Sequence, residues 1–205
     1  MSKTGWHPKC FVELKNNLQG CIDPVTQGSS NGLSVSLGEC SEVKIAGLSQ
    51  AASKFRLARE FQSAHFSSYE DRTALGYSSV FRITFAVIAF EAYGRMFGKS
   101  KWHQFDQLVC PHFSTSSIVA ARQGFKKQQE GIVNALTEVT LQNRINNFFA
   151  AGDSDIIALA VAFRQAFAHG KLGATYQYTK SRDLLATEVL NAIERHCCHT
   201  SALIA

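Results

Sequence analysis

Proline is scarce in this chain: Pro8, Pro24 and Pro111 are the three in 205 residues. The strongest helix breaker is thus missing from two long stretches, which argues for helices and against a sandwich of many short strands. Long apolar runs are missing as well. The longest, Ile156 to Phe163, has eight residues, too few to span a bilayer, and residues 1–20 hold Trp6, His7, Lys9 and Glu13 with no apolar signal-peptide core. The expectation is a soluble, cytoplasmic protein that does not enter a membrane. GxGxxG, the GxxxxGK[ST] phosphate loop, HExxH and any CxxC pair are also absent. Dinucleotide, P-loop and zinc-protease chemistry thereby lose their usual signatures. Nor does charge of one sign accumulate, because 21 Lys and Arg are scattered among 16 Asp and Glu for a net charge of +5. That balance permits an anionic partner but falls short of the basic stripe of a dedicated nucleic-acid binder.

What is present is ordinary globular composition, 45% apolar and 18% charged, in a chain long enough for a sizeable core without a metal or disulfide staple. The six cysteines, at 10, 21, 40, 110, 197 and 198, have irregular spacing; they read as reduced, mostly buried thiols. His196-Cys197-Cys198-His199 resembles a metal cluster. Neighbouring residues on a helix point about 100° apart, so these four cannot close a tetrahedral site, and a polar helix end is expected. Asp153-Ser154-Asp155 reads as a helix start, where acidic side chains complement the dipole, rather than as a metal site. No cofactor or metal is expected.

The chain divides into an N-terminal helix and loop extension (1–41), a helical bundle (42–200) and a tail (201–205). A leading helix is expected over Pro8–Leu18, then a Gly, Ser, Asn and Gln-rich loop in which Leu33, Val35 and Leu37 alternate with serines, the period of a small β element. Helical spacing continues over Val43–Phe66 and Glu70–Phe97. The latter carries one stripe of Tyr77, Phe81, Phe85, Ile88, Ala92 and Met96 and another of Ile83, Val87 and Phe90, so much of its surface must be covered. It reads as the central helix, closed by Gly98. Shorter helices are expected over Trp102–Val109, Thr115–Phe125, Ile132–Thr140 and Leu141–Phe149, with breaks at Pro111 and at Lys126–Gly131. A further helix should start at Asp153 or Ser154, run to His169 and stop at Gly170. An amphipathic helix over Ser181–His196 closes the bundle.

The chemistry concentrates at the end of the apolar helix, in FRQAFAHGKL (163–172). Gln165 and His169 are four apart and share a face, with Arg164 at its flank. An imidazole beside a fixed cation suits phosphodiester cleavage without a metal, because His serves as base or acid near neutral pH while Arg stabilises an anionic phosphorane. The spacing Arg, four residues, His resembles the motif of the HEPN domains. FEAYGRMFG (90–98), at the end of a long apolar helix, resembles the segment that precedes that motif. The resemblance implies an all-α up-and-down bundle of four to five main helices. It further implies a homodimer and a metal-independent endoribonuclease that leaves 2',3'-cyclic phosphate ends. Arg164, His169 and Gln165 would be catalytic and Glu91 a supporting partner of Arg164. Toxin–antitoxin pairs and phage defence are the family's usual setting, so an inhibitory partner of nucleotidyltransferase type is implied too. The residue after the Arg is most often Asn, Asp or His in that family; Gln165 keeps an amide and adds a methylene.

A second Arg and His, with five residues between them, also match the spacing, running from Arg59 to His65, but without an apolar helix before them. Two other readings stand beside the nuclease. One is a non-catalytic module of the same fold binding a nucleotide, RNA or partner protein. In the other, an unrelated bundle, Arg164 pairs with a carboxylate, His169 caps its helix, and Glu91 pairs with Arg95 one turn away.

Overall fold

The computed structural model describes residues 9–26, 42–65, 67, 70–152 and 154–204. Among them the protein is all helical. Its α-helices are α1 (Lys9–Thr26), α2 (Glu42–Glu60), α3 (Asp71–Met96), α4 (Asp106–Val109), α5 (Thr115–Phe125), α6 (Gln129–Ala135), α7 (Val139–Phe149), α8 (Ile156–Ala168) and α9 (Thr179–Ile204). Short 3₁₀ turns lie at Trp102–Gln104, Cys110–His112, Lys126–Gln128 and Tyr176–Tyr178. The β element expected around Leu33 to Leu37 falls outside the described residues.

The long helix α3 is central, packed by α2 on one side, α9 on another and α8 on a third. Of its apolar residues, Val80, Ile83, Ala86, Val87, Phe90, Ala92 and Met96 are buried, whereas Tyr77, Phe81, Phe85 and Ile88 are half-buried. By length and composition α3 is apolar enough to cross a membrane, yet half of that window lies inside the bundle. Arg82 and Glu91 interrupt its apolar run, which is why no long run is visible in the sequence. Gly98, at φ +72°, ends α3.

Several element boundaries differ from the sequence reading, each for a tertiary reason. Helix α1 continues through Pro24 to Thr26 rather than stopping at Leu18. Its Cys10, Phe11 and Leu14 join the common core, with Phe11 against Phe55 of α2 and Tyr93 of α3. Helix α2 stops at Glu60, short of Phe66. The polar stretch 126–131 is helical rather than a break, since the 3₁₀ turn runs straight into α6 and the chain turns instead at 136–138. Helix α9 starts at Thr179 and reaches Ile204, so 201–204 are part of it. Asn17 of α1 anchors that last turn, donating to the Ser201 carbonyl at 3.0 Å and hydroxyl at 3.1 Å.

Candidate functional site at the end of α8

All eight residues from Ile156 to Phe163 are buried, so α8 is held by apolar contact on every side. Burial of one such Ile, Leu or Phe side chain stabilises by about 1.5–3 kcal/mol. Its N-cap is Asp155, not Asp153 or Ser154, and the Asp155 carboxylate accepts from the Ala158 amide at 2.8 Å. Arg144 of α7 pairs with both Asp155 and Asp106, and its guanidinium lies over the Trp102 ring. Burial alone would lower the Arg144 pKa, but Asp155 and Asp106 outweigh it and raise it. Both carboxylates are almost wholly buried. The polar atoms that start the motif helix are therefore fixed from the core outward.

At its other end α8 closes on His169, followed by Gly170 at φ +68°. The Gly170 amide donates to Phe167 O at 2.9 Å and the Lys171 amide to Ala166 O at 3.0 Å, a paired closure that requires the left-handed conformation glycine adopts freely. The chain after it is clamped. Ala174 presses its carbonyl against α3 at Gly76, where a Cβ would stand 1.7 Å from the oxygen. The buried Arg182 of α9 donates to Gly173 O at 2.9 Å and Thr175 O at 3.1 Å. Burial pulls the Arg182 pKa down to about 10, against the upward pull of Tyr178 and Asp183.

Between these fixed ends the structure brings the expected residues together. Arg164, Gln165 and His169 line one solvent-open cavity of about 370 Å³, with Phe81 and Thr84 of α3 as the facing wall and Phe167 beside them. Glu91 of α3 grips Arg164 with two parallel bonds, Nη2 to Oε1 at 2.8 Å and Nη1 to Oε2 at 3.0 Å. This is the fork geometry that suits arginine, and it leaves the other guanidinium N–H groups for a ligand. Glu91 thus serves Arg164 rather than Arg95, which is exposed. The imidazole of His169 is exposed at the cavity rim, and Gln165 is half-buried. A cation, an amide and an imidazole facing one open volume can bind a phosphate and move a proton on and off an adjacent hydroxyl.

The second Arg-to-His match is not assembled in this way. Arg59 is committed to α9, bonding Asn191 at 2.7 Å and Glu194 at 2.8 Å, and α2 ends before His65. The C-terminal quartet is not a polar helix end. His196 and Cys197 are buried, and His196 Nδ1 shares a 3.0 Å hydrogen bond with the Tyr93 hydroxyl. Burial, with His112 and His199 nearby, pushes the His196 pKa down to about 4. Cys10, Cys110, Cys197 and Cys198 are not joined in disulfides, and Cys198 is exposed. Among the described residues no three His, Cys, Asp or Glu side chains are placed to hold a metal ion.

Phe81, which the sequence reading placed in an apolar stripe, and Thr84 and Phe167, which it did not single out, are site residues. Phe81 and Thr84 lie some eighty positions before the motif, and nothing in their own spacing marks them. Arg144 and Arg182 were equally invisible, since the partners of Arg144 come from other elements and those of Arg182 are loop carbonyls that no side-chain pattern marks. Compared with known proteins, the chain matches no family model, no curated protein and no solved structure.

Proposed function

We propose that the protein is a metal-independent endoribonuclease of HEPN type acting in the cytoplasm. The observation that carries this reading is the cavity itself. One open volume is shared by Arg164, Gln165 and His169, with Arg164 pre-oriented by Glu91. His169 takes the proton of a ribose 2'-hydroxyl, whose oxygen then attacks the adjacent phosphorus. The remaining Arg164 donors stabilise the charge that develops on the phosphorane, and Gln165 positions the phosphate. The 5'-oxygen leaves with a proton from an imidazolium, giving a 2',3'-cyclic phosphate and a 5'-hydroxyl. DNA lacks the nucleophile and is not cut. The half-buried flank Tyr77, Phe85 and Ile88 beside the motif suits a second copy, so that a homodimer sets two Arg164–His169 pairs across one cleft. Action as a toxin or defence effector, held in check by a nucleotidyltransferase-type antitoxin, rests on the family resemblance.

The test is cleavage of total RNA in EDTA by the wild-type protein beside His169→Ala and His65→Ala, with analysis of the fragment ends. Cleavage lost in His169→Ala alone, leaving cyclic phosphate ends, is the expected result. Cleavage that persists in His169→Ala refutes the mechanism. One observation favours a second reading, a non-catalytic module binding a nucleotide, RNA or partner protein: two donors of Arg164 are already engaged by Glu91. A folded protein that binds RNA without cutting it identifies that module.

A further inference from the structure

We infer that the recess between α3 and the end of α8 seats one unpaired nucleobase, that of the nucleotide whose 2'-hydroxyl is attacked. The assignment to the attacking nucleotide rests on the ribonuclease reading; the base seat itself rests on the cavity. Its volume, about 370 Å³, lies at the small end of ligand pockets, which start at about 300 Å³, and suits a single ring system with its sugar. The walls are chemically divided. Phe81 and Phe167 supply half-buried aromatic surface, Arg164 supplies a half-buried guanidinium, and His169 is exposed. Tyr77 braces Phe167 edge-on at 6.2 Å between ring centroids, and Phe61 braces Phe81 at 6.4 Å, so neither ring is free to collapse into the space. An aromatic surface beside a guanidinium is the pattern that suits a nucleotide, with the base stacked on the rings and the phosphate on the arginine. Gln165 and Thr84 offer an amide and a hydroxyl at the edge of the same recess. Because His169 lines the recess, a base held there places its own ribose, and hence its 2'-hydroxyl, beside the imidazole. A base paired in an A-form duplex is stacked between its neighbours and cannot enter, so the substrate must be single-stranded at the cut.

The probe is a short oligoadenylate with 2'-fluoro in place of each 2'-hydroxyl, which cannot be cut. Its affinity is compared with that of the same backbone without bases and with that of its duplex. The base-bearing strand should bind the full-length protein at least about tenfold more tightly than either, the range of one stacked base. Phe81→Ala should remove most of that difference while leaving the baseless strand unaffected. The comparison of strands on wild-type protein needs no variant to fold. Equal binding of the base-bearing and baseless strands overturns the base seat. So does a Phe81→Ala variant that loses dimerisation but keeps its preference for bases, which would make this wall the seat of a second copy. Failure of the ribonuclease reading is separate: base-dependent binding remains, and unmodified RNA is not cut.

Discussion

Gly76→Ala offers the sharpest test of how the loop beyond His169 is held. The new Cβ would lie 1.7 Å from the Ala174 carbonyl oxygen and 2.8 Å from its carbon. Both are backbone atoms, so no rotamer change relieves the overlap, and the loop must lift from α3. Ala in place of Gly within a helix gains about 0.5–1 kcal/mol, while overpacking costs about 1–3 kcal/mol. Lifting the loop also disrupts the Arg182 bonds to Gly173 and Thr175, and a hydrogen bond to a charged group is worth about 1.5–3 kcal/mol. With one of the two bonds lost, the net effect is a destabilisation of about 1.5–5.5 kcal/mol. Urea unfolding followed by circular dichroism reads it directly. Gly47→Ala is the control, because its Cβ would meet Met96 Cα at 3.6 Å, an ordinary contact, so that variant should gain about 0.5–1 kcal/mol. Gly76→Ala within about 0.5 kcal/mol of wild type would show that the loop is not clamped on α3.

Arg144→Met should destabilise by about 3–5 kcal/mol at neutral pH, because the buried carboxylates of Asp106 and Asp155 lose the cation they share. Urea unfolding at neutral pH reads the deficit, and a variant within about 1 kcal/mol of wild type would contradict this account. His196 has its folded pKa near 4, below the ordinary value of about 6.5, so the unfolded chain binds the proton more tightly. Its contribution is therefore full above pH 6.5 and lost as pH falls toward 4, up to about 3 kcal/mol at 1.36 kcal/mol per pH unit. His196→Gln should flatten that part of the stability–pH curve, and a curve of unchanged slope would refute the buried neutral imidazole. Arg164→Lys keeps the charge but loses the planar fork, so RNA cleavage should fall about 10²–10³-fold with little change in the unfolding midpoint. Undiminished cleavage would remove Arg164 from the mechanism.

The parts of this fold legible in the sequence were those decided locally. Thr115–Phe125 and the central helix α3 fall within a residue of their expected bounds, because Ser114, Gly98 and the apolar period act over a single turn. The burial of α3 was not legible in detail. Both of its stripes are equally apolar, and only the positions of α2, α8 and α9 decide that Ile83 and Phe90 are fully buried while Phe81 and Phe85 are half-buried. Helix α9 runs past His196 through Cys, His, Thr and Ser, which carry no apolar period. Its last turn is held by Asn17, an interaction that residue spacing cannot encode. At the site, Arg164, Gln165 and His169 were readable as neighbours on one helix end. Glu91 was readable as a candidate only, since Arg95 at i+4 was an equal claimant until the packing of α3 on α8 decided it. Phe81 and Thr84 reach the cavity through that same packing.

The contact between α1 and α9 sets an order of events in synthesis. Asn17 and Ser201 stand 184 positions apart, so half of the seat for α1 is made long after α1 itself. At about 5–20 residues per second the interval is roughly 10–40 s. During it Phe11 can rest on Phe55 of α2, but the surface that meets Cys197 does not yet exist. The equilibrium cost of closing so long a loop is small, about 1 kcal/mol more than for the 73-residue span from Glu91 to Arg164. The delay is kinetic. A nascent chain can therefore assemble the α3–α8 cavity before α1 is docked, and its Cys10 and Leu14 surface stays open to chaperones until the last helix arrives.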